Sequence, residues 1–172
     1  MTMAAARADL SVIKARQQKT WASGDYAVVA SRIVLVSELL ADAADLEAGW
    51  EVLDVACGNG NTTLAAARSG TYALGIDYVP ELLEGGRARA VAEGLDVEFR
   101  LGDTEDLPVA DGYFDAVLSV FGAMFAPDHQ RAAASVVLPL PHATSSTSQP
   151  ASRSAASASS SLTSTMREAT TA

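Results

Sequence analysis

The chain has 172 residues, with 21 acidic side chains against 12 basic ones and a formal net charge of −9, enough for one domain with a proper core and too few for two substantial ones. The acidic balance speaks against a nucleic-acid partner, because phosphate binding needs clustered Lys and Arg to release counterions. Cys57 is the only cysteine, which excludes an intrachain disulfide and a cysteine-rich metal site.

The N-terminal stretch MTMAAARADLSVIKARQQ intersperses Arg7, Asp9, Lys14 and Arg16 among its apolar residues, so it lacks the apolar core of a signal peptide. Further on, YAVVASRIVLVSELLA is broken by Arg32 and Glu38, too early for a membrane-spanning helix. A soluble, cytoplasmic protein with no membrane partner is expected. From Ala27 to Leu46 the residues Val28, Val29, Ile33, Val36, Leu39, Leu40 and Ala43 fall at helical spacings, which predicts one amphipathic helix packed on a sheet. Gly49 ends the connection, and Glu51 to Ala56 reads as a short buried strand. Thr62 to Arg68 reads as a helix with a threonine N-cap.

A second apolar run, TYALGID (Thr71 to Asp77), also ends in an acid. Pro80 then opens a charged helix that Gly94 stops, interrupted in pattern by Gly85 and Gly86, and DVEFRLGD supplies a third strand. Ala116 to Val120 reads as a fourth strand and Asp128 to Ala134 as the opening of a further helix. Strands alternating with helices imply a parallel α/β sheet with flanking helices and right-handed crossovers. After Ala134 the composition turns abruptly to Ser, Ala and Thr. Such a segment buries too little apolar surface to offset the entropy of ordering it, so disorder is expected over about 145–172.

Ligands of open α/β sheets bind beyond the carboxyl ends of the strands. There the sequence puts Asp54, Asp77, Asp103 and the pair Ser119 and Val120, with Gly58 and Gly60 in the turn after the first strand. A P-loop needs Gly-Lys-Ser/Thr after a longer loop, and no lysine stands here. A dinucleotide turn needs a third glycine at position 63, where Thr63 stands, and Asp54 would repel a pyrophosphate. What remains is a cofactor with ribose hydroxyls and a positively charged amino acid end but no phosphate. Asp77 can accept both hydroxyls, Asp103 an adenine amino group, and Asp54 can help place an ammonium. This describes S-adenosylmethionine.

The stretches VLDVACGNGNTTLAAA, GIDYVPELLEGGRARA and EFRLGDTEDLPVADGYFDAVLSVFGAMFAPDHQRAA together resemble the class I S-adenosylmethionine-dependent methyltransferases, in the small-molecule branch related to the quinone-biosynthesis enzymes, over about residues 17–134. The resemblance implies a Rossmann-like sheet, with Asp54, Ala56, Gly58 and Gly60 as the acid-and-small-residue motif and Asp77, followed by Tyr78, as the ribose-binding acid. It further implies Asp103 and Thr104 as the adenine-side pair, and Ser119 to Gly122, including Val120, facing the sulfonium and methyl group. KTWASGDY resembles an N-terminal lid, with Gly24 and Tyr26 closing over the cofactor. The implied organisation is a helical lid over 1–26, a cofactor-binding domain over 27–134 and a low-complexity tail over 135–172.

The implied reaction is a one-step methyl displacement onto a small-molecule acceptor, with no catalytic residue assigned and His129 and Tyr26 as bases to test. Several of these residues also have plainer readings. Asp77 or Asp103 alone could be a turn cap, Cys57 a small packing residue, and Glu81, Glu84, Arg87 and Arg89 a solvated face. Trp21 and Tyr26 fit core or lid packing, and His129 and His142 lie outside any metal spacing.

The family pattern continues past HQRAAA with a Pro-Gly-Gly turn, a fifth strand and an antiparallel hairpin, whereas SVVLPLPH and the tail follow another pattern. A shifted reading frame or a truncated gene is the expectation, with the C-terminal strands missing and the fourth strand left as an edge prone to self-association. The alternative function is therefore a non-catalytic cofactor-binding fragment or an inactive remnant.

Overall fold

The four short apolar runs form one parallel sheet in the order β3-β2-β1-β4. The computed structural model describes residues 3–136. In chain order these form α1 (Met3–Ala22), α2 (Tyr26–Arg32), α3 (Val34–Ala43), β1 (Glu51–Val55), α4 (Asn61–Arg68), β2 (Tyr72–Asp77), α5 (Pro80–Glu93), β3 (Val97–Leu101), β4 (Ala116–Leu118), a single 3-10 turn (Gly122–Phe125) and α6 (His129–Val136). β1 lies between β2 and β4, with Leu53 opposite Leu74 on one side and Val117 on the other. No helix of the described residues is long and apolar enough to cross a membrane. The expected C-terminal disorder and the consequences of a shifted frame concern residues 137–172, outside those described.

Alternation along β1 divides the core, because successive strand side chains point to opposite faces. Leu53 and Val55 pack with Leu74, Ile76 and Phe114. Val52 joins Ala66, Ala73 and Leu118, with Leu40 and Trp50 closing that cluster from the α3 side. α5 adds Leu83 and Ala90 against Leu64 and Phe99. β1 and β2 are thereby covered on both faces, as strands joined by helical crossovers must be. Their carboxyl ends, carrying Asp54 and Asp77, are held rigidly side by side.

Three expectations change. The single helix over 27–46 is two helices that break at Ile33, whose backbone N–H returns to Ala30. Val28, Val29, Val36 and Leu39 are exposed while Ala30, Ser37 and Ala41 are buried. The small residues face inward because α3 packs closely on α4, where the Thr62 hydroxyl donates to Ser37 Oγ at 3.1 Å. Nor does a threonine cap α4: Gly60, at φ 82°, is the N-cap. The third and fourth strands also end earlier than expected, at Leu101 and Leu118. By contrast α5 runs unbroken across Gly85 and Gly86. At Gly86 a Cβ would lie 2.8 Å from the Phe99 ring, so the glycine that weakens the helix lets α5 sit against β3.

Candidate functional site

Beyond Val55 the chain turns back through Ala56, at φ 53°, and Gly58, at φ 58°, before Gly60 launches α4. Asp54 is 2% exposed. Its Oδ2 accepts the Thr63 hydroxyl at 2.7 Å. Burial pushes its carboxyl up to about 7 against the pull of Thr63, and the neighbouring Asp77 adds to the rise. Asp77 is also buried. Its Oδ2 accepts the Gly58 N–H at 2.8 Å and its Oδ1 the Val79 N–H at 2.9 Å. Burial raises its pKa too, and these backbone donors hold the rise in check.

The two acids line a cleft that opens to solvent. Ala56, Gly58 and Gly122 form its floor, and Trp21, Tyr26 and Phe125 an aromatic wall. Trp21 meets Tyr26 edge-on at 6.0 Å between ring centres and Phe125 at 5.1 Å. The Tyr26 ring covers Gly58 so closely that a Cβ there would lie 3.2 Å from it. Among the described residues no Lys, Arg or His lines this cleft. Two buried carboxylates that face a cavity without a compensating cation favour a ligand that brings positive charge. They disfavour a phosphate.

A second, narrow recess adjoins the cleft and shares Ala56, Tyr78, Gly122 and Phe125 with it. Lys14 and Gln17 of α1 close it over Asp103 and Thr104. Lys14 Nζ pairs with Asp103 Oδ2 at 2.5 Å and with Glu105 Oε2 at 2.6 Å. The other oxygen of Glu105 accepts the Asp128 N–H at 2.7 Å. α1 is fastened at two further points, by Gln18 Nε2 donating to the Tyr78 carbonyl at 2.6 Å and Gln17 Nε2 donating to the Phe125 carbonyl at 3.0 Å.

Of the residues read from the sequence, Tyr26, Asp54, Ala56, Gly58, Asp77, Tyr78 and Val120 line the cleft, and Asp103 and Thr104 the recess. Two stand apart from both linings. Gly60 sits against Phe99, where a Cβ would be 2.6 Å from the ring. The Ser119 hydroxyl donates to the Val55 carbonyl at 2.8 Å and accepts the Ala123 N–H, so it joins β4 to the end of β1. Asp103 differs from expectation in its partners: Lys14 holds Oδ2, and Oδ1 accepts the Glu105 N–H at 2.9 Å.

His129 is exposed, pairs through Nε2 with the Met124 carbonyl at 2.9 Å and does not line the cleft. Arg89, expected on a solvated face, is half-buried and donates to the Asn59 carbonyl and to Asn61 Oδ1, bracing the turn. Sequence reasoning missed Lys14, Gln17 and Phe125. The run Arg16-Gln17-Gln18-Lys19-Thr20 is polar throughout and carries no period that separates a docked face from a free one.

Comparison with known proteins agrees with this geometry. A family described as a methyltransferase domain matches residues 52–138. An uncharacterized protein of Mycobacterium tuberculosis is 42% identical over 126 residues, 73% of this chain and 46% of the relative. The demethylmenaquinone methyltransferase of Thermus thermophilus is 33% identical over 121 residues, 62% of this chain and 55% of its own length. In fold, the crystal structure of a TehB-like S-adenosylmethionine-dependent methyltransferase from Corynebacterium glutamicum superposes with a TM-score of 0.55 at 21% identity, covering 67% of this chain and 65% of that one.

The chain belongs to the class I S-adenosylmethionine-dependent methyltransferases. The cofactor of that family is S-adenosylmethionine. The chain spans about half the length of the curated relatives it matches.

Proposed function

We propose that this chain binds S-adenosylmethionine in the cleft and serves methyl transfer to a small-molecule acceptor. One observation carries the reading: two buried carboxylates, Asp54 and Asp77, share a cleft that no basic side chain of the described residues lines. A ligand with a sulfonium, an ammonium and a ribose, and no phosphate, matches that donor and charge requirement. Bound there, it supplies an electrophilic methyl group. Asp77 keeps a free lone pair on each oxygen for the ribose hydroxyls, since each oxygen holds one backbone N–H. Asp54 faces the positive end.

The chain's other contributions are orientation and exclusion of water. Trp21, Tyr26 and Phe125 cover the cleft with aromatic surface. Burial raises the Tyr26 phenol, and Asp77 raises it further, so Tyr26 stays protonated at neutral pH and acts as a donor rather than a base. A small acceptor is supported by two relatives whose names concern quinones, the demethylmenaquinone methyltransferase above and a ubiquinone biosynthesis O-methyltransferase of Xanthomonas axonopodis, 38% identical over 96 residues.

A second reading has its own observation. β4 pairs only with β1 among the described residues, and Ala116 and Val117 on it stay half-buried, which favours a cofactor-binding piece that associates with itself or another chain along that edge.

Titration calorimetry of the chain with S-adenosylmethionine, S-adenosylhomocysteine and NAD tests the first proposal. Saturable binding of the first two and none of NAD is expected; preference for NAD would overturn it. Methyl transfer then separates the two readings, and sedimentation reads the association.

A further inference from the structure

Among the described residues, Gln17 Oε1 is a side-chain oxygen shut off from solvent with no hydrogen-bond partner, while the other buried side-chain polar atoms are paired. Such an orphan costs free energy unless a ligand or water answers it. Its direction is set, because Nε2 of the same amide donates to the Phe125 carbonyl at 3.0 Å. Turning the amide over would set oxygen against oxygen. Gln17 lines the recess with Asp103, Thr104 and Tyr78, and the recess lies beside the cleft, with Tyr78 and Phe125 lining both.

The rival acceptor in that recess is already engaged. Asp103 Oδ2 is paired with Lys14 at 2.5 Å, and Oδ1 holds the Glu105 N–H. Lys14 leaves Gln17 Oε1 as the neutral acceptor without a donor. A flat heterocycle with an exocyclic amino group supplies such a donor, and a ligand whose ribose meets Asp77 would carry its base in this direction.

We infer that Gln17, on α1, is a specificity-determining residue for the nucleobase, its Oε1 accepting a hydrogen bond from the 6-amino group of adenine. The inference rests on the cofactor reading above and deepens it. The 6-amino group of adenine is read by the N-terminal helix, and discrimination exists only while α1 is docked. A 6-oxo base is rejected, since it brings an acceptor to an acceptor.

The test titrates the full chain, as wild type and as Gln17→Leu, with S-adenosylhomocysteine and with its purine-riboside analogue, which lacks only the 6-amino group. Wild type should bind the adenine ligand about tenfold or more tightly, as expected when a buried acceptor loses its donor. In Gln17→Leu the ratio should fall to about one, with the analogue's own affinity changed by less than about threefold.

The ratio guards against a loosened helix, because undocking α1 weakens both ligands alike. A wild-type ratio of one overturns the inference without any variant. So does a ratio kept in Gln17→Leu, as it would be if water satisfied Oε1. If the wild type binds neither ligand, the cofactor reading itself is wrong and the inference falls with it. Binding of both at equal strength removes the inference alone.

Discussion

The hydroxyl of Thr63 donates to Asp54 Oδ2 at 2.7 Å, with both residues buried. The side chain standing where a dinucleotide turn has its third glycine therefore serves the acid at the end of β1. A glycine there would let a helix approach a pyrophosphate; threonine instead partners a carboxylate.

The first consequence is for stability. Asp54 is raised from 3.8 to about 7 by burial, so between these values the folded state holds a proton that the unfolded state has released. Its stabilising contribution is complete below pH 3.8 and is lost as pH rises through about 7, with a slope of up to about 1.4 kcal/mol per pH unit. Melting temperatures of the ligand-free protein across this range should show the fall, and Asp54→Asn should flatten it.

Binding of a cationic ligand should show the opposite sign. Affinity for S-adenosylmethionine is expected to rise as pH climbs through about 7, when Asp54 takes its charge. Thr63→Val removes a hydrogen bond to the carboxylate and should move the midpoint upward, because that bond favours the ionised form. An unmoved midpoint in calorimetry at several pH values would place the titration elsewhere.

Asp77→Ala should abolish detectable binding, whereas Asp103→Ala should weaken it by roughly tenfold or less. The ranking follows from partners. Asp77 organises Gly58 and Val79 at 2.8 and 2.9 Å while facing the cleft, but Asp103 spends its charge on Lys14. Equal losses by calorimetry would contradict it.

Two glycines of one turn should fail differently. Gly60→Ala drives a methyl to 2.6 Å from the buried Phe99 ring at φ 82°, and overpacking together with left-handed strain should cost roughly 2–4 kcal/mol. Gly58→Ala meets the Tyr26 ring at 3.2 Å on the cleft side, so cofactor affinity should drop well beyond the loss from backbone strain alone. Denaturant melts and titrations of both variants distinguish the two.

Lys14→Ala leaves Asp103 and the buried Glu105 without their shared cation. Because Lys14 and Asp103 are partly exposed, the loss should be about 1 kcal/mol. It should appear as faster amide exchange in α1, with β1 and β2 unchanged. High salt should reproduce part of that effect in the wild type.

Much of the sheet is legible from local pattern. VLDVA and ALGID are short apolar runs bounded by turn residues, and each carries, at or near its end, the acid that the structure puts in the cleft. What stays hidden depends on distance. Lys14 and Asp103 are 89 residues apart, and no period in α1 announces that pairing. The break at Ile33 carries neither glycine nor proline, so a helical pattern runs straight through it. The inward side of α3 puts Ser37 and Ala41 beside Leu40, and hydrophobic spacing gives the first two no weight. Gly58 lines the cleft while Gly60 packs on Phe99, a difference that their shared turn does not announce in sequence.

The cleft floor, at Ala56, Gly58 and Gly122, is mostly main chain. A Cβ at Gly122 would lie 2.3 Å from both the Cβ and the carbonyl oxygen of Ala56, so the loop after β4 meets the turn after β1 with no room for a side chain at Gly122. Peptide planes have no rotamers to sample, and that surface keeps its shape whatever approaches it. Adaptation to a new acceptor would have to come from the aromatic wall, where Trp21, Tyr26 and Phe125 can be exchanged one at a time. The half of the site that defines the common chemistry is thus the half that point substitution can least easily remodel.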